Sequence, residues 1–472
     1  MRALRAIGCF LDLRRKFSWK FVFWCSGLTF NTSKPNPVKG SMNYLNTLRR
    51  LAAELVGPIG NCGKPTNYFL ILMTILLANP IAKAVTQVRF ATYNVSLYGS
   101  SAGEVADRLA AGYNPQARCE AEIIQRVRPD VLLLNEIDYD PESRLAQIFQ
   151  EKYLAVSQNV SASASGPAEP IRYPYRYLAP VNTGIPSGFD LDRNGKVSSE
   201  PGSREYGGDC WGFGQYPGQY GMVLLSKYPI DTESVRTFQK FLWKDMPGAL
   251  LPDDAQTKTP GDWYAADALE KFRLSSKSHW DLPIQINGRT VHVLASHPTP
   301  PIFDGAEDRN GRRNHDEIRF WVDYIAADIA SYIYDDCGTY GGLPTGECFV
   351  IMGDLNGDPH DGEGTAGISL LLTSPSIAQY LPPESTGGAE QARLQGGVNK
   401  NHLGSSRNDT LDGADDGPGN LRLDYVLPSK KLKVVASGVF WPDNTDRLFS
   451  LVGVYPFPSS DHRLVWVNVE VE

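Results

Sequence analysis

The chain predicts an α/β (α+β) fold: two packed mixed β-sheets flanked by helices, a four-layer sandwich. Short apolar runs of strand length alternate with longer stretches of helical spacing from residue 85 onward. Asn287-Gly288 joins two apolar runs and is a strong hairpin signal, which requires antiparallel pairing. A purely doubly wound parallel sheet is therefore disfavoured. At 472 residues the chain can bury one large core, and its 44 Gly and 33 Pro predict many long loops.

In order, residues 85–95 read as a strand. Residues 104–128 carry Ala, Leu and Ile at helical spacing, interrupted near residues 112–115. Residues 130–134 are a short apolar strand after Pro129, and residues 157–170, rich in Ser and Ala, a surface insertion. Residues 220–227 form another strand, closed by Pro229. Residues 279–286 and 289–296 are the arms of the hairpin. Residues 313–334 are helical in pattern, and residues 347–352 a strand. Residues 374–420, dominated by Gly, Asn, Ser and Asp, predict a long loop with little regular structure. Two strands follow Arg422, and the last covers residues 463–469.

The formal charge of −7 hides an asymmetry. Residues 1–84 hold 12 Lys/Arg and 2 Asp/Glu, leaving 34 basic and 51 acidic residues, or −17, on residues 85–472. Such a body repels a polyanionic backbone on average, which counts against non-specific DNA degradation. Residues 68–78 are an uncharged apolar run preceded by Arg49, Arg50 and Lys64 and followed by Ala82-Lys83-Ala84, an A-x-A cleavage pattern. The run is too short to span a bilayer as a helix. Residues 1–84 therefore read as an N-terminal extension with a signal peptide, residues 85–472 as the functional domain, and the product as secreted or periplasmic. An uncleaved short anchor is the alternative, and Met42 is a candidate start. Of seven cysteines, Cys119, Cys210, Cys337 and Cys348 follow the cleavage pattern. Cys337 and Cys348 are the natural pair in an oxidising compartment; four free thiols are the alternative.

Polar clusters follow the apolar runs: Thr92-Tyr93-Asn94, Leu134-Asn135-Glu136, Ala295-Ser296-His297, Gly353-Asp354-Leu355-Asn356, Leu423-Asp424-Tyr425 and Ser460-Asp461-His462. Strands ending this way bring carboxylate, amide and imidazole groups to one rim. Such a rim binds a hard divalent cation and keeps acid/base groups free. In this order the clusters resemble the endonuclease/exonuclease/phosphatase superfamily, from about residue 88 to the C-terminus. The resemblance implies the two-sheet fold, Mg²⁺ (or Mn²⁺) as cofactor, and phosphoester hydrolysis by an activated water.

Within that chemistry Glu136 is the natural Mg²⁺ ligand, because one carboxylate leaves the ion mostly hydrated. Asn94 is expected to hold that carboxylate or touch the metal shell, which Asp461 joins. Asp354 and Asn356, two apart at a strand end, are expected to orient water and hold a phosphate oxygen. His462 faces the scissile phosphate with Asp424 fixing its tautomer. In the family the matching histidine acts as base or as transition-state stabiliser, and both remain open here. His297 matches a residue that serves the leaving side in nuclease members, where a carboxylate partners it; this chain offers Gln219.

Arg309, Arg312 and Arg313 either grip phosphate or pair with nearby Asp and Glu. Asp190, Asp192 and Asn194 match the first half of an EF-hand-type Ca²⁺ loop, with Gly195 at position six but Pro201 at position twelve. A non-standard Ca²⁺ site and a plain Asn-Gly turn are both open. The sequence thus predicts an exported metal-dependent phosphatase or phosphodiesterase for a phosphorylated small molecule or lipid headgroup. An extracellular nuclease acting on nucleic acid, and a non-catalytic calcium-binding exoprotein, are the alternatives.

Overall fold

The computed structural model describes residues 85–163 and 165–472, so the expected leader and cleavage point and Cys9, Cys25 and Cys62 lie outside the described residues. β1 is Thr86–Leu97, β2 Val131–Ile137, β3 Tyr175–Tyr177, β4 Met222–Ser226, β5 Arg236–Thr237 and β6 His279–Ile286. β7 is Arg289–Ser296, β8 Cys348–Asp354, β9 Asp424–Pro428, β10 Lys433–Val439 and β11 Val465–Val471. They form a six-stranded sheet, β10-β11-β1-β2-β4-β3, and a five-stranded sheet, β5-β6-β7-β8-β9.

Both sheets are mixed, as the hairpin requires. β1–β2 and β7–β8 are parallel, and the other pairs are antiparallel. Four consecutive strands of each sheet therefore repeat one pattern: β11-β1-β2-β4 and β6-β7-β8-β9 each run antiparallel, parallel, antiparallel. This internal symmetry has no counterpart in sequence, because it lives in pairing and not in residue identity. β1 and β2 lie against β8, and β1 and β11 against β9. Between the sheets pack Phe90, Leu282, Val293, Val350, Met352, Val426 and Val467, all nearly inaccessible. Each such side chain contributes roughly 1.5–3 kcal/mol by burial.

Helices cover the outer faces. Pro115–Val127 starts where the Asn114 side chain accepts from Ala117 N at 3.0 Å, with Pro115 at the first position, and stops at Arg128 in the left-handed region ahead of Pro129. Glu104–Leu109 precedes it, so the predicted interruption is a true break. Arg309–Tyr324 covers the second sheet with Ile318, Phe320 and Trp321 packed on Leu294 and Ile351. It begins and ends earlier than the sequence pattern suggests.

The hairpin turn has Asn287 at φ 50° and Gly288 at φ 82°, the paired positive angles of a type I′ turn. Its register pairs His279 with Ser296, so the residues just before β6 lie beside those just after β7. Residues 374–420 depart from expectation. A helix, Thr386–Gln395, forms there, capped by the Ser385 side chain. Its Gly387 packs so closely on Trp441 that a Cβ would collide with it. Glycine here serves contact and not flexibility, which composition alone misreads.

Candidate active site

One rim gathers the ends of both sheets. β1, β2, β7 and β8 deliver their C-terminal ends, and antiparallel β9 enters beside β8, with Asp354 paired to Asp424. β11 starts opposite Thr92, which brings Asp461 and His462 to the same edge. Ser96, Glu136, Tyr220 and Asn356 all have φ between 47° and 58°, unusual for residues with side chains. Such strain costs on the order of 1–3 kcal/mol each and persists where surrounding structure fixes it, typically at functional sites.

Asp354 is the hub. Its Oδ2 accepts from Asn94 Nδ2 at 3.1 Å and lies 3.3 Å from His297 Nε2 and 3.7 Å from His462 Nε2. Its Oδ1 accepts from Asn356 N at 3.0 Å. Burial alone would raise this carboxyl, but the two imidazoles and Asn94 hold it well below the usual carboxylate range. Asn94 thus supports Asp354 and not the Glu136 carboxylate, and of its two expected places keeps the one beside the candidate metal group. Asn356 Nδ2 donates to Pro298 O at 3.1 Å, tying β8 to the loop that carries His297.

His462 Nδ1 donates to Asp424 Oδ2 at 2.8 Å, and the same oxygen accepts from Thr410 Oγ1 at 2.8 Å. Burial would lower His462, but Asp424 and then Asp354 raise it well above its ordinary value, which favours the protonated ring. Behind it Arg463 and Asp412 form a buried ion pair at 2.8 Å. Thr410, Asp412 and Arg463 went unrecognised in sequence, because the first two lie in the stretch read as loop. Asp461 Oδ1 accepts from Ser96 Oγ at 3.3 Å.

The opposite side is less spent. Glu136, His297 and Asp354 can each turn a ligand atom within 4.8 Å of the others. The Glu136 carboxylate makes no hydrogen bond to any described residue, and burial, then Asp461 and Asp354, push it up to about 7 against the pull of His462. His297 is 1% exposed, yet neither ring nitrogen is aligned for a hydrogen bond among the described residues. Burial, with Lys277 adding to it, pushes this imidazole down to about 4. Two acidic oxygens and an uncommitted, neutral imidazole nitrogen suit a divalent cation, so the residues present fit a metal here.

Lys277 is a further site residue that sequence reasoning missed. The hairpin register sets it beside His297, and it is 6% exposed. Burial lowers its ammonium, while Glu317, Glu136 and Asp354 favour the charge. The signal was available: a lysine next to the first strand of a hairpin whose second strand ends in the site. The covering helix fixes this side through Glu317, which accepts from Ser276 N and Thr299 N at 2.6 Å each. Asn314, one turn earlier, donates to the carbonyls of Thr299, Leu355 and Asn356.

The model of the Endonuclease/Exonuclease/phosphatase family matches residues 91–462, from mid-β1 to His462 itself. The chain belongs to the endonuclease/exonuclease/phosphatase family. Members of this family are metal-dependent hydrolases of phosphoesters. Among solved structures it is similar to an endonuclease/exonuclease/phosphatase from Beutenbergia cavernae DSM 12333, at 17% identity and TM-score 0.41, over 82% of this chain and 72% of that one. It is also similar to sphingomyelinase C from Streptomyces griseocarneus, at 15% identity and TM-score 0.38, over 81% and 99%. A third is a beta toxin mutant from Staphylococcus aureus with bound magnesium ions, at 15% identity and TM-score 0.37, over 81% and 99%. No curated protein matches the chain.

Several expected site residues are not brought to the rim of this family member. Arg313 is buried, and its guanidinium donates to the carbonyls of Leu274, Trp211 and Arg273. Arg309 pairs with Glu307, and Arg312 donates to Leu251 O at 3.2 Å. All three are committed to framework contacts. Gln219 donates to Gly99 O at 2.8 Å and accepts from Gln215 N at 2.7 Å, and makes no hydrogen bond to His297.

Asp190 and Asp192 accept from the backbone of Asn194 and Gly195, as a turn does, and come within ligand range of Asp209, which the sequence did not suggest. Asn194 instead caps Lys196 N at 3.0 Å. Among the described residues all four cysteines are free thiols, so Cys337 and Cys348 are not paired. No helix among them is long and apolar enough to cross a membrane.

Proposed function

We propose that the chain is an exported hydrolase of phosphoester bonds that works with Mg²⁺ or Mn²⁺ on a small phosphodiester or phosphomonoester. The observation that carries this reading is the division of labour around Asp354: a cationic His462 on one side, an uncommitted Glu136 and His297 on the other. A bound Mg²⁺ would be held by Glu136 and Asp354 with His297 adjacent, and would supply charge neutralisation of the phosphate. His462 donates a hydrogen bond to a non-bridging phosphate oxygen and gains strength as negative charge develops there. Its protonated state favours this stabilising role over that of a base. Asp354, ionised and aligned by Asn94, orients the attacking water. Lys277 adds positive charge beside the leaving side.

The net charge of −17 on residues 85–472 supports a small substrate, since long nucleic acid gains affinity from phosphates neutralised by Lys and Arg. The test is a substrate panel of bis-p-nitrophenyl phosphate, phosphoinositides, sphingomyelin, plasmid DNA and RNA with Mg²⁺, Mn²⁺, Ca²⁺ or EDTA. Small-substrate hydrolysis is expected to be lost in EDTA and to fall only modestly between about 50 and 200 mM salt. Steeply salt-dependent plasmid nicking would point to a nuclease instead. Export is expected to leave Val85 as the mature N-terminus by mass spectrometry; exported protein carrying peptides from before residue 68 would contradict it.

A further inference from the structure

Two tyrosines stand beside the free carboxylate of Glu136 and have no part in the chemistry described above. Tyr98 is the first residue after β1, and Tyr220 lies two residues before β4. Their ring centroids are 4.6 Å apart, with planes inclined at 59°. Tyr98 is 37% exposed, and neither phenol makes a hydrogen bond to a described residue. Burial and then Glu136 push the Tyr98 phenol up to about 12; burial, Tyr98 and Glu136 raise Tyr220 as well. Both rings therefore stay neutral at any working pH.

The pair is held in place at some cost. Tyr220 adopts φ 58°, a strained angle for an aromatic residue. Gly218 and Gly221 flank it where a Cβ would crowd the backbone of residues 137–139. Asp138, on the β2 side of the rim, joins the two ring-bearing loops. Its Oδ2 accepts from Gly99 N at 3.1 Å and Tyr216 Oη at 2.6 Å, and its Oδ1 accepts from Tyr220 N at 3.3 Å. Gln219 adds a bond to Gly99 O at 2.8 Å. Strain maintained by a dedicated network, around rings with unspent faces and hydroxyls next to the reacting centre, marks a ligand clamp.

We infer that Tyr98 and Tyr220 form an aromatic subsite for a planar organic group esterified to the phosphate, with Asp138 as the positioning residue that holds both rings. The ligand class is an aryl phosphate ester. A flat ring stacks on one tyrosine and meets the edge of the other, and an aliphatic alcohol cannot reproduce that contact. Stacking on an aromatic side chain changes affinity by about tenfold to a hundredfold. This inference rests on the phosphoester reading of the same site and narrows its substrate.

The experiment compares binding of phenyl phosphate and methyl phosphate to the full chain with Mg²⁺ by calorimetry, which needs no turnover. Wild type is expected to prefer phenyl phosphate by about tenfold or more. Tyr98→Leu and Tyr220→Leu should bring the ratio to within about twofold, while Tyr98→Phe and Tyr220→Phe retain most of it. Because Tyr98 is partly exposed, its leucine variant is expected to fold even where the strained Tyr220 position does not tolerate change. In Asp138→Asn, hydrolysis of bis-p-nitrophenyl phosphate should lose more through KM than through kcat. A wild-type ratio near one, or leucine variants that keep the ratio, would overturn the inference. Aryl preference in a protein that hydrolyses no ester would uphold the subsite and refute the hydrolase reading.

Discussion

The two sides of Asp354 offer the same residue type in opposite states. His462 is anchored by Asp424, which is anchored in turn by Thr410, and the two carboxylates Asp424 and Asp354 favour its protonated form. His297, as deeply buried, has no aligned partner among the described residues and is neutral. Burial disfavours the charged form of both rings; what separates them is the carboxylate bonded to His462 and the Lys277 ammonium that pushes His297 further down. Distance alone does not suffice, since Asp354 Oδ2 is closer to His297 than to His462. The first side is finished as a proton-bearing electrostatic device. In the proposed function the second is completed by a cation beside Glu136.

The largest expected effect lies on the first side. His462→Ala should cut turnover by about 10²–10⁴-fold, the usual worth of such a group. Asp424→Ala should lose less, and the double variant should be no worse than His462→Ala alone, because Asp424 acts through His462. Losses that multiply in steady-state kinetics would show the pair to be independent.

On the second side, Glu136→Gln should lower turnover by at least about a hundredfold with circular dichroism and melting unchanged in EDTA. Turnover near wild type would move the metal away from Glu136.

The smallest effect is on stability and has opposite sign at the two rings. His297 falls to about 4 in the folded chain from an ordinary 6.5, so the unfolded state binds the proton more tightly. Its contribution is complete above pH 6.5 and is lost as pH falls through about 4, at most about 3 kcal/mol. His462 is raised, so its contribution is complete below pH 6.5 and is lost only at high pH. Urea melts in EDTA should therefore show a shallower acid slope for His297→Gln than for wild type, and no such flattening for His462→Gln.

The first side was largely legible in sequence. Asp424 and His462 sit at the start of apolar runs, and a carboxylate–histidine pair is a chemistry that residue types announce. The strands and the hairpin were legible for a similar reason, since β6 and β7 end where the alternation ends. The second side was legible only in part. Glu136 and His297 follow apolar runs, but Lys277 enters through hairpin register, and Glu317 through the inner face of a helix that looked merely charged. The arginines of that helix misled for the converse reason: a basic cluster after a catalytic histidine suggests phosphate, whereas Arg313 spends its guanidinium on three carbonyls. Tertiary register and hydrogen-bond satisfaction decide such cases, and neither is encoded in local pattern.

Calorimetric titration of Mg²⁺ into the full chain, Glu136→Gln and Asp424→Asn tests the division between the two sides most directly. The account predicts binding by wild type and by Asp424→Asn with affinities within about tenfold, and loss of binding in Glu136→Gln by a hundredfold or more, of the order a removed metal anchor costs. Undiminished binding by Glu136→Gln, with loss in Asp424→Asn, would place the cation beside His462 and contradict it.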